Sequence, residues 1–158
     1  MKKIFLTVAT IGLLGTSVFA FDGGKKTERT VPVSYAVENQ FDSEFSDAKD
    51  VAWTVTSNCQ KATFTVDGVV MTAFYSLQND FLGVTKDVNY SEVADKAKAE
   101  IADKYKGYAV GEVIKLETPD TDTNFDSTVY FVDLKNDASE VLVRVTPSAS
   151  VYFFKQVK

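Results

Sequence analysis

The side chains of this chain best suited to chemistry are carboxylates in one short stretch, DTDTNFDSTVYF, beginning at Asp120. Asp120, Asp122, Asn124 and Asp126 recur at every second position, the spacing at which an EF-hand loop presents oxygen ligands to calcium. The pattern then departs from such a loop twice. Phe125 stands where the loop turns on glycine, and Phe131 stands where a bidentate glutamate closes the coordination shell. A solvated acidic loop is therefore the preferred reading of residues 120–126. A weak calcium site of another kind, in a calcium-responsive periplasmic protein, is the alternative.

Other reactive chemistry is scarce. The chain contains no histidine, which removes the usual general base, the commonest zinc ligand and every histidine-based triad. It has no glycine-rich phosphate loop and no Cys-x-x-Cys pair. Cys59 is the only cysteine, so no intrachain disulfide forms, and a small half-buried strand residue is expected there in preference to a reactive thiol. Carboxylates are plentiful, but no spacing places two of them in one apolar pocket. These absences argue against an enzyme, and no cofactor is expected.

What positions the remaining candidates is a set of helices and strands with clear periods. SYAVENQFDSEFSDAKDVAW spaces Val37, Phe41, Phe45 and Ala48 along one helical face, with Ser34 as a candidate N-cap. From Trp53 the period changes to two. Asp67-Gly68 is a two-residue hairpin signal because both residues tolerate positive φ. It predicts the pairs Val66–Val69, Phe64–Met71 and Ala62–Ala73, all on one face. Asn79-Asp80 is a second turn signal, predicting Leu77–Leu82 and Tyr75–Val84 on that same face. SEVADKAKAEIADKYKG then reads as a second helix, capped by Ser91, ended by Gly107, with Ala94, Ala97, Ile101 and Tyr105 facing inward. Four more period-two segments follow. The order helix, strands, helix, strands with hairpin-length links predicts an α+β fold of tandem helix-plus-antiparallel-meander repeats, the helices packed on one face of the sheet.

The opposite face then carries the recognition candidates. In the first meander it holds Thr63, Thr65, Thr72, Phe74 and Thr85. In the second, a four-residue turn at each link sets Phe131, Arg144 and Phe153 side by side, with Leu142 and Val151 beside them. A Phe–Arg–Phe row on a sheet face is the composition of a protein-binding patch, rigid rings around a planar cation.

The N-terminus bounds where this happens. MKKIFLTVATIGLLGTSVFA has two lysines, an uncharged apolar run and a small-residue end, so residues 1–20 read as a removed secretory signal. No cysteine follows the cleavage position, which argues against a lipoprotein. Residues 21–33 read as a flexible lead-in, and residues 34–158 as one domain with units at about 34–90 and 91–158. Losing Lys2 and Lys3 with the signal takes the formal charge from −5 to −7. An acidic chain without a Lys/Arg cluster is a poor binder of nucleic acid or anionic membrane, so neither is expected as a partner.

Taken in order, the signal-like start, FDSEFSDAKDVAW, KATFTVDGVVMTAFYSLQNDFLGVT, the Ala/Lys helix ending in YKGY, and the run VYFVDLK, EVLVRV, VYFFKQ resemble the PepSY-like, β-lactamase-inhibitor-like (BLIP-like) family of secreted bacterial proteins, many from Bacteroidota. The resemblance implies tandem α/β units, no enzymatic activity, export to the periplasm or beyond, and an unidentified protein partner gripped by a sheet surface and loops. The sequence departs from the inhibitor that gives the family its name by lacking paired cysteines.

Overall fold

Asp67 and Gly68 take φ of 50° and 81°, the left-handed pair that a tight hairpin needs. Around them Val66 pairs with Val69, Phe64 with Met71 and Ala62 with Ala73, the expected register. This computed structural model describes residues 32–119 and 127–158. The signal 1–20, nearly all of the lead-in and the acidic loop 120–126 lie outside the described residues.

The elements run α1 (Tyr35–Glu44), β1 (Lys49–Val55), β2 (Gln60–Val66), β3 (Val69–Tyr75), β4 (Phe81–Asp87), a 3-10 turn (Tyr90–Glu92), α2 (Asp95–Lys104), β5 (Ala109–Glu117), β6 (Thr128–Lys135), β7 (Glu140–Val145) and β8 (Val151–Gln156). The eight strands form one antiparallel sheet in chain order, each beside its sequence neighbours. Among the described residues no helix is long and apolar enough to cross a membrane.

Both helices cover the same face. α1 brings Val37 and Phe41 onto Ala62 and Phe64 of β2 and Ala73 and Tyr75 of β3, with Phe45, Trp53 and Phe81 at the margin. α2 brings Ala97 and Ile101 onto Val113, Val132, Leu134, Val141, Val143 and Val145. Small residues at Ala62, Ala73 and Ala97 let helix and sheet approach closely, and the large neighbours fill the space. Removing each such large side chain from water contributes about 1.5–3 kcal/mol. Burial thus follows the period-two pattern: Phe64 and Tyr75 are buried and Met71 half-buried, while Thr63 and Thr72 face the other way.

A buried glutamine ties the first unit together. Ser34 sits at the N-cap of α1 but makes no side-chain cap; its backbone N–H donates instead to Gln60 Oε1 at 2.9 Å. Gln60 Nε2 in turn donates to the Ser76 carbonyl at 3.1 Å and to Asn79 Oδ1 at 3.2 Å. One side chain therefore fixes the start of the helix, the strand beneath it and the following loop.

Three expectations are corrected. The β3–β4 link runs over Ser76–Asp80, closed by the Asp80 carbonyl on Ser76 N–H with Asn79 at φ 77°. Val84 consequently pairs with Ala73 and Phe81 with Tyr75, while Leu77 and Leu82 are exposed and unpaired with each other. The two-residue slip preserves the face of Val84, and a bulge near Gly83 absorbs the difference. In the second helix Ser91 does not cap: Tyr90–Glu92 form a separate 3-10 turn, extended Val93 follows at ψ 134°, and Ala94 occupies the N-cap. Val93 is buried where Ala94 was expected. Last, the β7–β8 link spans Thr146–Ser150, one residue longer than a four-residue turn, with Ala149 left-handed at φ 61°. Its effect falls on the candidate site.

Candidate protein-binding face

The face away from the helices is assembled from every other residue of each strand. In the first unit Thr63 stands opposite Thr72, and Thr72 opposite Thr85. The Thr63 and Thr72 hydroxyls approach to 3.3 Å, and Thr85 Oγ1 donates to the Thr72 carbonyl at 3.4 Å. β-branched hydroxyl residues suit such a half-wet surface because their methyls pack across strands while their oxygens find partners. Phe74 lies on this face opposite Gly83, half-buried.

In the second unit β6 and β7 meet in the expected register. Phe131 stands opposite Arg144, and Asp133 opposite Leu142. The third member changes. Because the β7–β8 link is one residue longer, Arg144 stands opposite Tyr152, and Phe153 falls opposite Val143 on the helix-covered side. Val151 likewise belongs to the core beneath α2. A bulge at the next step then brings Phe154 to the open face, where its ring meets Phe131 at 4.8 Å and 62°. The row is therefore Phe131–Arg144–Tyr152 with Phe154 packed on Phe131. Phe131 is buried and Arg144 half-buried. Phe74 and Arg144 each make a further interaction. Phe74, on β3, is three strands from Phe131, and the structure does not bring it into the row.

Beside Phe131 the surface becomes acidic. Asp133 is buried, with Oδ2 3.3 Å from Lys135 Nζ and Oδ1 without a partner among the described residues. Gly111 makes this possible, since a side chain there would run into the Asp133 carboxylate. Burial, then the neighbouring Asp87 carboxylate, raise the carboxyl of Glu112 above the usual range. On the helix side the opposite holds: the Lys115 ammonium, bonded to Glu117 at 2.6 Å, keeps that carboxyl below it.

Among the described residues no group of three or more Cys, Asp or Glu side chains is placed to hold a metal ion. Cys59 is half-buried, its sulfur 3.6 Å from Thr56 Oγ1. Asp120, Asp122, Asn124 and Asp126, the calcium-like set, lie outside the described residues. Sequence reasoning missed Tyr152 and Phe154. The signal for both was Ala149, a residue type that rarely advertises a left-handed turn.

No protein-family model matches the chain, and no curated protein matches it by sequence. Solved structures do match. A BLIP-like protein from Bacteroides fragilis superposes with a TM-score of 0.67 at 17% identity, over 80% of this chain and 88% of that one. A DUF2874 family protein from Bacteroides uniformis gives 0.70 at 18%, covering 80% and 91%. A protein from Bacteroides eggerthii, provisionally described as periplasmic, gives 0.70 at 13%, also covering 80% and 91%. At these identities the likeness is one of fold, and this chain has the BLIP-like fold that its sequence resembled.

Proposed function

We propose that this chain is a non-enzymatic exported protein that binds another protein through the sheet face opposite its helices, as an inhibitor-like module working in the periplasm or beyond the cell. Residues 1–20 are its removed signal, 21–33 a lead-in, and 34–158 the working domain. Within that domain a helix followed by four strands occurs twice, which supports two like units at about 34–90 and 91–158. The fold shared with a BLIP-like protein supports a binding role, and the chain contains no histidine, the side chain most often used as a general base.

The observation that carries the reading is Arg144, half-buried in the ladder between Phe131 and Tyr152 on the face that neither described helix covers. Arginine and aromatic residues dominate the energetics of protein interfaces, because fixed rings lose little freedom on binding and a guanidinium offers directed donors above them. The test is affinity capture from an envelope extract with wild type and with Arg144→Glu combined with Phe154→Ala, after circular dichroism has established that both are folded. Loss of the recovered partner by tenfold or more is expected. Equal recovery by the two proteins counts against the face.

A further inference from the structure

The two edges of the sheet differ. At β1 the edge is blunted: Lys49 and Asp50 are exposed, Asp50 is left-handed at φ 55°, and a bulge lies between Lys49 and Ala52. Charges and bulges of this kind keep an edge from pairing. At β8, Tyr152, Phe153 and Phe154 stand in a row and are 56%, 60% and 43% exposed. Among the described residues no strand lies beyond β8. A strand edge accepts only an extended partner, since its outward amides and carbonyls need a matching ladder.

We infer that β8 is a self-association edge, pairing antiparallel with β8 of a second copy about a two-fold axis at Phe153. This goes beyond the binding face proposed above, with which it shares Tyr152 and Phe154 but not Phe153. The register carries the argument. Tyr152 pairs with Arg144 and Phe154 rests on Phe131, so both belong to the open side of the sheet. Residues opposite one another in an antiparallel ladder share a side. A two-fold at Phe153 therefore sets Tyr152 against Phe154 of the second copy, twice, and Phe153 against itself on the other side. Every exposed ring of the strand gains a ring partner.

Charge and area agree with this occupant. Lys155 lies two residues beyond the axis, so the two Lys155 stand about 13 Å apart along the strands, beyond the ~8 Å screening length at physiological salt. A fully enclosed aromatic side chain buries about 150–250 Å², so three half-exposed rings per copy remove on the order of 600 Å². Paired backbones bring the total near the ~1,000 Å² that a specific interface needs. The bulge at Phe154 confines backbone pairing to the residues around Phe153 and leaves Tyr152 and Phe154 to meet through their rings alone, so the dimer is a weak one, dissociating in the micromolar range.

The test is sedimentation of the purified protein from low micromolar to near-millimolar concentration. The average mass is expected to rise toward twice the monomer, and Phe153→Glu, at an exposed position, is expected to weaken association at least tenfold. In a Cys59→Ser background, Phe153→Cys should cross-link rapidly under oxidation, because facing residues of a hydrogen-bonded pair sit about 5.5 Å apart at Cα, within disulfide reach. Lys155→Cys should not. A protein that stays monomeric throughout overturns the inference. So does association that Phe153→Glu leaves intact, or equal cross-linking at the two positions. Binding of a polyglutamate peptide by a wild-type monomer, lost in Phe153→Glu, would assign the edge to an acidic strand instead. Phe153 lies outside the Phe131–Arg144–Tyr152 row and Arg144 outside the edge, so Phe153→Glu and Arg144→Glu, each made singly, separate this inference from the binding face.

Discussion

The two units bury the same face of one sheet with different materials. Beneath α1 the core is aromatic: Phe41 meets Phe64 at 4.9 Å, Trp53 at 5.2 Å and Phe45 at 5.3 Å, all tilted or edge-on. Tyr75 and Phe81 extend the cluster at 5.4 Å. Beneath α2 the core is aliphatic, built from Val113, Val132, Val143, Val145, Leu134 and Ile101, with Tyr105 and Tyr108 at its rim. Rings concentrate burial in a few large side chains that interlock, whereas valines spread it over many small ones. The aromatic unit should therefore depend heavily on single residues, and the aliphatic unit should tolerate change. The units join where β4 meets β5, over Val84–Asp87 and Ile114–Glu117 with one further bond from Val88 N–H to the Val113 carbonyl, a shorter ladder than that of β2 and β3.

The largest effect is expected from Phe41→Ala, which empties the centre of the ring cluster and should cost about 3–5 kcal/mol; Ile101→Val should cost only about 0.5–1.5 kcal/mol. Denaturant unfolding followed by fluorescence and by far-ultraviolet circular dichroism checks both. Trp53 is the only tryptophan, so fluorescence reports the aromatic unit alone. Coincident transitions would mean that the short β4–β5 ladder still couples the halves; a fluorescence transition that comes first in Phe41→Ala would separate them.

A smaller effect isolates one atom of the aromatic unit. The Tyr75 hydroxyl is fully buried with no hydrogen-bond partner among the described residues. An unsatisfied buried hydroxyl costs about 1–3 kcal/mol, so Tyr75→Phe should stabilise by about 1 kcal/mol. Burial, with the Glu44 carboxylate adding to it, raises the hydroxyl well above the ordinary tyrosine range. Above about pH 10 the unfolded chain loses this proton while the folded chain keeps it, so stability falls as pH rises, by up to about 1.4 kcal/mol per pH unit. Urea titrations from pH 8 to 11 should show a shallower decline in Tyr75→Phe than in wild type. Parallel declines would mean that another group is responsible.

A last comparison sets a turn from each unit side by side, and the smallest effect of all falls at Ala149. Gly68 has open space around a notional side chain, so Gly68→Ala meets only the left-handed backbone penalty, about 1–2 kcal/mol. Ala149 already bears that penalty, but its methyl is buried in the aliphatic core. Ala149→Gly relieves about 1–2 kcal/mol of strain and forfeits about 0.8 kcal/mol of burial, so a gain of under about 1 kcal/mol is expected in thermal melts. A loss larger than the Gly68→Ala penalty would mean that the methyl matters more than the turn.

These turns also explain what could be read from the residues and what could not. Asp67-Gly68 announces its geometry, and the register it sets is the observed one. Asn79 and Ala149 take left-handed conformations in five-residue links, and neither link length is written in local composition. One extra residue in Thr146–Ser150 moved Phe153 off the proposed row and Tyr152 onto it, because strand faces alternate with every residue. The helices were legible from their apolar spacing, but the start of α2 was not: Val93 is drawn into the core in extended form, which overrides the capping preference of Ser91. The Phe131–Arg144 pair survived because its link, Asn136–Ser139, is closed by its own side chain, with Asn136 Oδ1 accepting from the backbone of Ala138 and Ser139.

Strand order that repeats chain order has a kinetic meaning. No ladder waits for a remote segment to arrive, and each loop that must close is short except at α2 and the link between β5 and β6. Closing short loops forfeits little chain entropy, so refolding should be quick for a protein made mostly of sheet, and either end of the molecule is a plausible place for it to begin.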